Sequence, residues 1–313
     1  MTNYKPIDSE TLLVERANPV PEIHYSFYDL HVMNLVEDDA AYSGDDLMEL
    51  SKNARIAIRE RLEKINTELD NLPIFKYIDI RSLSFWLKAK RLFFDRVSDS
   101  WEDPYENYFL KEHFVMEDKT PVDAQNNIPG VFGQSWTTRE ETDAMWRIYS
   151  KEDKTGGINN SRIQYGVRIK TTARKLLNVI YTDDLSMANI WIGKVRYMSE
   201  AEINQTLSGG VYSVNDALAD SFFNKRNEFD HEWEFRAMTL LDSKTINKTI
   251  SYKRIAFDIL DMDDFIESYV LDPRLTHDNY DSLRNQLITM GVKPSKIKQS
   301  SLYQFTPIEV TMH

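Results

Sequence analysis

Strand-like and helix-like segments follow one another from residue 73 onward, without the strict strand–helix–strand alternation of a parallel sheet. "IFKYIDI" (74–80) and "IWIGKVRYM" (190–198) carry the β-branched and aromatic residues typical of strands. "YDSLRNQLITMG" has a helical pattern and ends at a glycine, a common helix stop. This order favours an α+β fold with a mixed, mostly antiparallel sheet over a doubly wound parallel sheet.

The first 72 residues have a different character. Residues 1–44 are rich in proline and acidic residues and are predicted to be irregular. Apolar residues then recur at three- and four-residue steps over residues 45–69, which predicts one long amphipathic helix that ends before Pro73. We therefore predict an N-terminal extension over residues 1–72 and an α+β catalytic-type domain over residues 73–313.

Composition excludes several kinds of site. The 313 residues include no cysteine, which rules out disulfides, thiolate nucleophiles and cysteine-based zinc sites. The six histidines are scattered without metal-ligand spacing, so no metal site is predicted. No apolar run approaches the roughly 20 residues that a membrane span needs, and no secretory signal is visible at the N-terminus. A cytoplasmic protein without membrane contact is expected.

The stretch "FDHEWEFRAM" (229–238) places two acids two residues apart. If it is a strand, Glu232 and Glu234 point to one face while Trp233 and Phe235 point to a core. Two neighbouring carboxylates repel each other unless a cation, a hydrogen-bond donor or a ligand stabilises them. Arg236, the next residue on that face, is one candidate, and a polar ligand is the other.

Polar residues stand beside large aromatic rings in four stretches, namely "FKY" (75–77), "WEDPYEN" (101–107), "QSWTT…MWRIYS" (134–150) and "KRNEFDHEWEFR" (225–236). Flat rings with a few polar groups are typical of a pocket for a nucleobase or nicotinamide. An aromatic core with paired polar neighbours has the same composition, and both interpretations stay open at this point.

These motifs, in this order, resemble an uncharacterised bacterial domain family. Its members carry a lysine/tyrosine strand, an Asp-Pro-aromatic-Glu loop, a Met-Trp-x-x-Tyr helix and a closing Lys…Glu-x-Glu-x-Arg strand. The resemblance covers residues 73–275. Members often occur in phage-defence or toxin-like gene neighbourhoods, and the resemblance implies that setting.

The chain is more weakly similar to the ADP-ribosyltransferases, which bind NAD through an early Arg or His, a middle Ser or Tyr and a late Glu. Here Lys76/Tyr77 replaces the early residue. This resemblance implies an ADP-ribosyltransferase-like fold, NAD as co-substrate, and Glu234 steadying the ribose charge with Glu232 as general base. The implied cofactor-binding residues are Lys76, Tyr77, Asp103, Glu106, Ser135, Trp136, Trp146 and Tyr149.

The leading hypothesis is therefore an NAD-dependent toxin or phage-defence effector that ADP-ribosylates RNA or protein. An antitoxin or chaperone partner is implied for such an effector. Single-stranded RNA stays open as an acceptor despite the formal net charge of −12. The alternatives are a non-catalytic nucleotide- or partner-binding module and a metal-dependent nuclease that uses Asp103, Glu106 and the late glutamates.

Overall fold

The computed structural model describes residues 5–8, 10–14, 30–33, 67–101, 103, 105–106, 114–115, 118–122, 130–153, 162–180, 189–208, 221–241, 252–307 and 309. The strands are β1 Lys5–Asp8, β2 Thr11–Val14, β3 Leu30–Met33, β4 Pro73–Asp79, β5 Arg91–Arg96, β6 Phe114–Val115, β7 Pro121–Val122, β8 Val131–Thr137, β9 Lys151–Asp153, β10 Arg162–Gln164, β11 Gly166–Thr172, β12 Asn189–Lys194, β13 Arg196–Met198, β14 Asn224–Arg226, β15 Glu234–Leu240, β16 Arg254–Asp258, β17 Ser268–Leu271 and β18 Ile297–Gln299. The α-helices are α1 Ile80–Ala89, α2 Val97–Ser100, α3 Asp143–Tyr149, α4 Ala173–Ile180, α5 Glu200–Ser208, α6 Met262–Phe265 and α7 His277–Thr289, and 3-10 helices span Asn227–Glu232 and Pro294–Lys296.

The chain divides into two compact units whose segments interleave along the sequence. Unit 1 comprises Met1–Ile74, Lys90–Thr138 and Thr172–Leu260, and unit 2 comprises Phe75–Ala89, Arg139–Thr171 and Asp261–His313. Both units use segments of the predicted domain at 73–313. Unit 1 also includes β1, β2 and β3 from the predicted N-terminal extension.

Unit 1 contains a mixed sheet in the order β1-β2-β16-β5-β8-β15-β12-β3. Neighbouring strands are antiparallel except for β2 with β16 and β3 with β12, which are parallel. The central pair has Glu234 opposite Thr137 and Arg236 opposite Ser135. Directly opposed residues share a face, so these four side chains lie on one side of the sheet.

Apolar side chains cover one face of the unit 1 sheet. Phe132, Phe235 and Phe257 are fully buried, and the strand registers place all three on that face. Helix α4 is amphipathic: its apolar residues are all buried, while Arg174, Lys175 and Asn178 are its polar positions. A short separate pair of parallel strands, β13 and β14, brings Tyr197 opposite Lys225.

Unit 2 has the strand order β4-β11-β17-β18. Strands β11 and β17 are antiparallel, and β17 and β18 are parallel. Its core includes Tyr77, Trp146 and Val270 in mutual contact, with Met145 packed against them. Helix α7 begins at a Thr276 cap and is followed by Gly291 at φ 92°, a left-handed conformation that glycine adopts without strain.

The predicted mixed α+β architecture with a mostly antiparallel sheet is confirmed. The prediction that residues 1–44 are irregular was wrong at β1, β2 and β3. These strands have only four residues each, and β2 and β3 are held by pairing with the distant strands β16 and β12, which no local pattern reveals. The predicted helix over 45–69 lies outside the described residues except at its end, where residues 67–71 are helical.

Within the described parts of the chain, none of the helices has both the length and the hydrophobicity needed to span a lipid bilayer.

Candidate functional site

Five charged residues of unit 1 form a connected network, which we call the ion cluster: Glu106, Lys225, Glu232, Glu234 and Arg236. Its centre is a bidentate ion pair between Glu234 and Arg236 on β15. Arg236 Nε donates to Glu234 Oε1 at 2.7 Å, and Arg236 Nη2 donates to Oε2 at 2.8 Å. Glu234 is 4% exposed and Arg236 is 1% exposed. The prediction that Arg236 stabilises the acidic pair is confirmed for Glu234.

Glu106 joins the ion cluster from the loop of the "WEDPYEN" motif. Arg236 Nη2 donates to Glu106 Oε1 at 2.5 Å, and Lys225 Nζ lies 3.1 Å from the same oxygen. In the same loop, Asp103 Oδ1 lies 3.0 Å from Arg226 Nη2. Two motifs that are more than 100 residues apart in the sequence therefore meet through five charged side chains.

Lys225 is the shared cation of the three carboxylates. Its Nζ donates to Glu232 Oε2 at 2.7 Å and to Glu234 Oε2 at 3.2 Å, besides its contact with Glu106. Burial disfavours the charged ammonium, but Glu234 and Glu106 outweigh it, so the pKa of Lys225 is raised above its ordinary value. Lys225 therefore stays protonated throughout the physiological range.

Arg236 is fixed by two further contacts. Its Nη1 donates to the Phe222 carbonyl oxygen, and its guanidinium lies over the Trp101 ring, 3.9 Å from the centroid. Planar guanidinium groups stack well on aromatic faces. Arg236 is consequently held by a carboxylate pair, a backbone carbonyl and a ring, and has no room to turn toward a ligand.

Glu234 is ionised and fully engaged. Burial alone raises the pKa of this carboxyl, but Arg236, Lys225 and a hydrogen bond from the Ser135 side chain lower it to about 2. Both carboxylate oxygens already accept hydrogen bonds from cations. Such a carboxylate is a weak base and holds the cluster in place.

Glu232 differs from Glu234 in being partly exposed. Its side chain is 24% exposed, and Lys225 holds Oε2. Among the described residues, no hydrogen bond to Glu232 Oε1 is present. Glu232 therefore combines an oxygen held by Lys225 with partial access to solvent.

Within the stretch 229–236, only the residues from Glu234 onward are in a strand. Asn227–Glu232 is a 3-10 helix, and Trp233 follows in the left-handed conformation at φ 47°, ψ 48°. The prediction that Trp233 faces a core was wrong, because this turn moves the ring outward to 53% exposure. The prediction that Phe235 is buried is confirmed.

The predicted site residues divide between the two units. Unit 1 brings together Asp103, Glu106, Ser135, Glu232 and Glu234, and it also contains Trp136, which is buried with its indole N–H donated to Gln134 Oε1. Unit 2 contains Lys76, Tyr77, Trp146 and Tyr149. The buried rings of Trp136 and Trp146 present no face to a ligand, so stacking on a ring stays a prediction for Tyr149 alone.

Tyr77 organises its part of unit 2. Its ring meets Trp146 edge-on at 4.9 Å and stacks near Tyr149 at 6.1 Å between centroids. Its hydroxyl accepts from the Thr142 N–H at 3.4 Å. Burial raises the pKa of Tyr77 to about 12, so it is neutral at physiological pH. Lys76 lies beside it on the opposite face of β4.

A second buried arginine lies in unit 2, and with its carboxylate partners it forms what we call the Arg168 network: Arg168, Glu140 and Glu141. Arg168 Nη1 donates to the Glu140 carbonyl oxygen, and Nη2 donates to Glu140 Oε1 at 3.3 Å. Glu141 Oε1 accepts from the Trp146 indole at 2.8 Å and from the Ser300 hydroxyl. Arg168 Nε is buried, and no group among the described residues forms a hydrogen bond with it.

Sequence reasoning missed two members of the unit 1 site. Lys225 lies nine residues before Glu234, and this spacing does not predict a contact between the two side chains from helix or strand periodicity. Tyr197 was predicted to lie within one continuous strand over 190–198. The strand is interrupted at Val195 instead, and Tyr197 lies on the separate strand β13. Tyr197 Oη accepts a hydrogen bond from the Glu234 N–H at 2.8 Å. Only the adjacent lysine and acidic residues in the last motif hinted at a charge network.

The described residues contain no group of three or more His, Asp or Glu side chains placed to hold a metal ion. Asp103 and Glu106, the ligands of the nuclease hypothesis, are bound to Arg226 and Arg236.

Comparison with known proteins finds no match to any family model, curated protein or solved structure.

Proposed function

We propose that the protein is an NAD-dependent ADP-ribosyltransferase whose ligand-facing carboxylate is Glu232. The observation that carries the proposal is the state of that side chain: it is partly exposed, and Lys225 holds one of its two oxygens. A carboxylate held in this way is suited to accept a ribose hydroxyl.

The chemistry requires a fixed negative charge near the ribose. When the bond between the ribose C1′ and nicotinamide breaks, its electron pair leaves with nicotinamide and positive charge develops on the ribose. A carboxylate that accepts the 2′-hydroxyl stabilises that charge. The acceptor then forms a bond to C1′ and releases a proton to a base.

The proposal gives the two glutamates different tasks. The resemblance to ADP-ribosyltransferases gave the ribose contact to Glu234, but the oxygens of Glu234 are occupied by Arg236 and Lys225. The proposal therefore gives that contact to Glu232. Glu234 and Arg236 act as positioning residues: Arg236 holds Glu234, Glu234 holds Lys225, and Lys225 in turn holds Glu232.

The biological setting follows from the family resemblance alone. It supports a toxin or phage-defence effector that modifies RNA or protein and that pairs with an antitoxin or chaperone.

The test uses the full-length chain, NAD labelled in its adenylate phosphate, and a cell extract. Wild type is expected to transfer label to a macromolecule and release nicotinamide. Glu232→Gln is expected to reduce transfer by roughly 100-fold or more, the range seen when one transition-state contact is removed. Glu228→Gln, the same change on an exposed residue of the same 3-10 helix, is the matched control and keeps wild-type transfer.

The proposal fails if wild type neither labels a macromolecule nor releases nicotinamide. It also fails if Glu232→Gln transfers label as well as Glu228→Gln does. In that second case the essential carboxylate lies elsewhere.

A second candidate is a non-catalytic nucleotide-binding module. The bidentate ion pair between Glu234 and Arg236 favours this candidate. Buried charges that are fully paired form a rigid scaffold and leave no reactive group. Such a module is expected to gain thermal stability with nucleotide while releasing no nicotinamide.

A further inference from the structure

Trp233 combines an unfavourable backbone conformation with a half-exposed ring. Non-glycine residues rarely adopt the left-handed region, and for a residue as bulky as tryptophan it is a true outlier. Strained residues of this kind persist only where surrounding contacts enforce them, and they concentrate at binding and catalytic sites.

Hydrogen bonds on both sides enforce the Trp233 conformation. The Thr138 N–H donates to the Trp233 carbonyl oxygen at 2.9 Å, and the Thr138 hydroxyl donates to the same oxygen at 3.3 Å. The next peptide N–H, that of Glu234, donates to Tyr197 Oη at 2.8 Å. The Trp233 N–H itself donates to the Asp230 carbonyl oxygen at 3.2 Å. The backbone around the ring is therefore fixed from three directions.

Trp233 directly follows the partly exposed carboxylate of the ion cluster. Glu232 and Trp233 are consecutive, and both side chains are at least partly exposed. The other tryptophan predicted to stack on a ligand in unit 1, Trp136, is buried. Trp233 thus supplies the exposed indole at this site that Trp136 does not.

We propose that Trp233 is the ring-stacking residue of the site, and that it binds the planar base of a nucleotide whose ribose hydroxyl is accepted by Glu232. The ligand class is a nucleotide with a free ribose diol. Its identification as NAD rests on the proposed function. Thr138 and Tyr197 are positioning residues, because they hold the turn that presents the indole.

The test measures the affinity of full-length protein for NAD and for AMP by isothermal titration calorimetry, in wild type, Trp233→Gly and Trp233→Phe. Glycine adopts the left-handed conformation without strain, so Trp233→Gly keeps the turn while removing the ring. We expect its melting temperature to stay at or above that of wild type and its affinity to fall by roughly tenfold or more. Trp233→Phe keeps a stacking face and is expected to bind within about threefold of wild type.

Each outcome decides the inference separately from the proposed function. If wild type binds and Trp233→Gly binds equally well, the inference is overturned and the proposed function stands on its own test. If Trp233→Gly binds weakly but wild type releases no nicotinamide from NAD, the inference is supported and the transferase proposal fails. If wild type binds neither NAD nor AMP, the inference is overturned, and the nucleotide basis of the proposed function is lost with it.

Discussion

The ion cluster of unit 1 and the Arg168 network of unit 2 each bury an arginine, yet they place its partners differently. Arg236 faces Glu106 and Glu234, which are buried with it. Arg168 faces Glu140, whose side chain is 66% exposed, and its Nε has no hydrogen-bond partner within the described part of the chain. The carboxylate partners of Arg236 are thus buried with it, while the Glu140 partner of Arg168 is also in contact with water.

This difference determines how each network responds to the loss of one member. Removing a partner from a fully buried network leaves an unpaired charge that water cannot reach, and the cost is large. Removing Arg168 leaves Glu140 largely in water, where a carboxylate is well solvated without a cation. The ion cluster should therefore behave as one unit, whereas the Arg168 network should lose its contacts separately.

The largest expected effect comes from Arg236→Met. It leaves Glu106 and Glu234 buried with Lys225 as their only remaining cation in the cluster, so we expect the free energy of unfolding at pH 7 to fall by about 3–5 kcal/mol. Arg168→Met is the matched control in unit 2 and should cost about 1–3 kcal/mol, the range for lost hydrogen bonds to charged groups. Urea unfolding followed by circular dichroism measures both. Equal losses in the two variants would remove the distinction between the networks.

The next effect is a loss of stability in acid that belongs to the ion cluster. The folded pKa of Glu234 is about 2, below its ordinary 4.5, so the unfolded chain takes up this proton first as the pH falls. The stabilisation from Glu234 is complete above pH 4.5 and is lost between pH 4.5 and about 2, and amounts to about 3 kcal/mol.

Urea unfolding at intervals from pH 7 down to about pH 2 measures this loss. Glu234→Gln should be less stable at pH 7 and should lose less stability on acidification than wild type. Glu140→Gln, which removes a mostly exposed carboxylate of the Arg168 network, is the control. If Glu234→Gln keeps the full acid dependence of wild type, the ion cluster is not its source.

The smallest effect is expected in unit 2 at high pH. Burial raises the pKa of Tyr77 to about 12, so the folded protein resists its ionisation while the unfolded chain does not. The stabilisation is complete below pH 10 and is lost as the pH rises toward 12. Tyr77→Phe should reduce the loss of unfolding free energy at high pH without changing the loss at low pH. The remainder should come from Tyr197 and Tyr269, whose pKa values burial also raises.

Most elements after residue 73 could be predicted because their signals are local. "IFKYIDI" predicts β4 from its β-branched and aromatic residues, and "TARKLLNVIY" predicts α4 from its helical spacing. The sequence around Trp233 does not reveal its turn, because a tryptophan in the left-handed region is imposed by Thr138 and Tyr197, and Tyr197 lies 36 residues away in the sequence.

The candidate site could be predicted in part. Strand alternation correctly placed Glu234 and Arg236 on one face. The arrival of Glu106 from a separate loop, and of Lys225 as the shared cation, depends on the packing of three chain segments. Sequence spacing gives no measure of that packing. The motifs therefore indicated which residues matter before their pairing could be known.

The separation of Glu106 from Arg236 by 130 residues has a consequence for synthesis on the ribosome. At about 5–20 residues per second, Glu106 emerges roughly 7–26 s before its guanidinium partner. During that interval Glu106 cannot be buried as an ion pair with Arg236, because Arg236 has not yet been synthesised. The pairing of β8 with β15 in unit 1 is therefore expected to form only after translation has passed Arg236, about three quarters of the way along the chain.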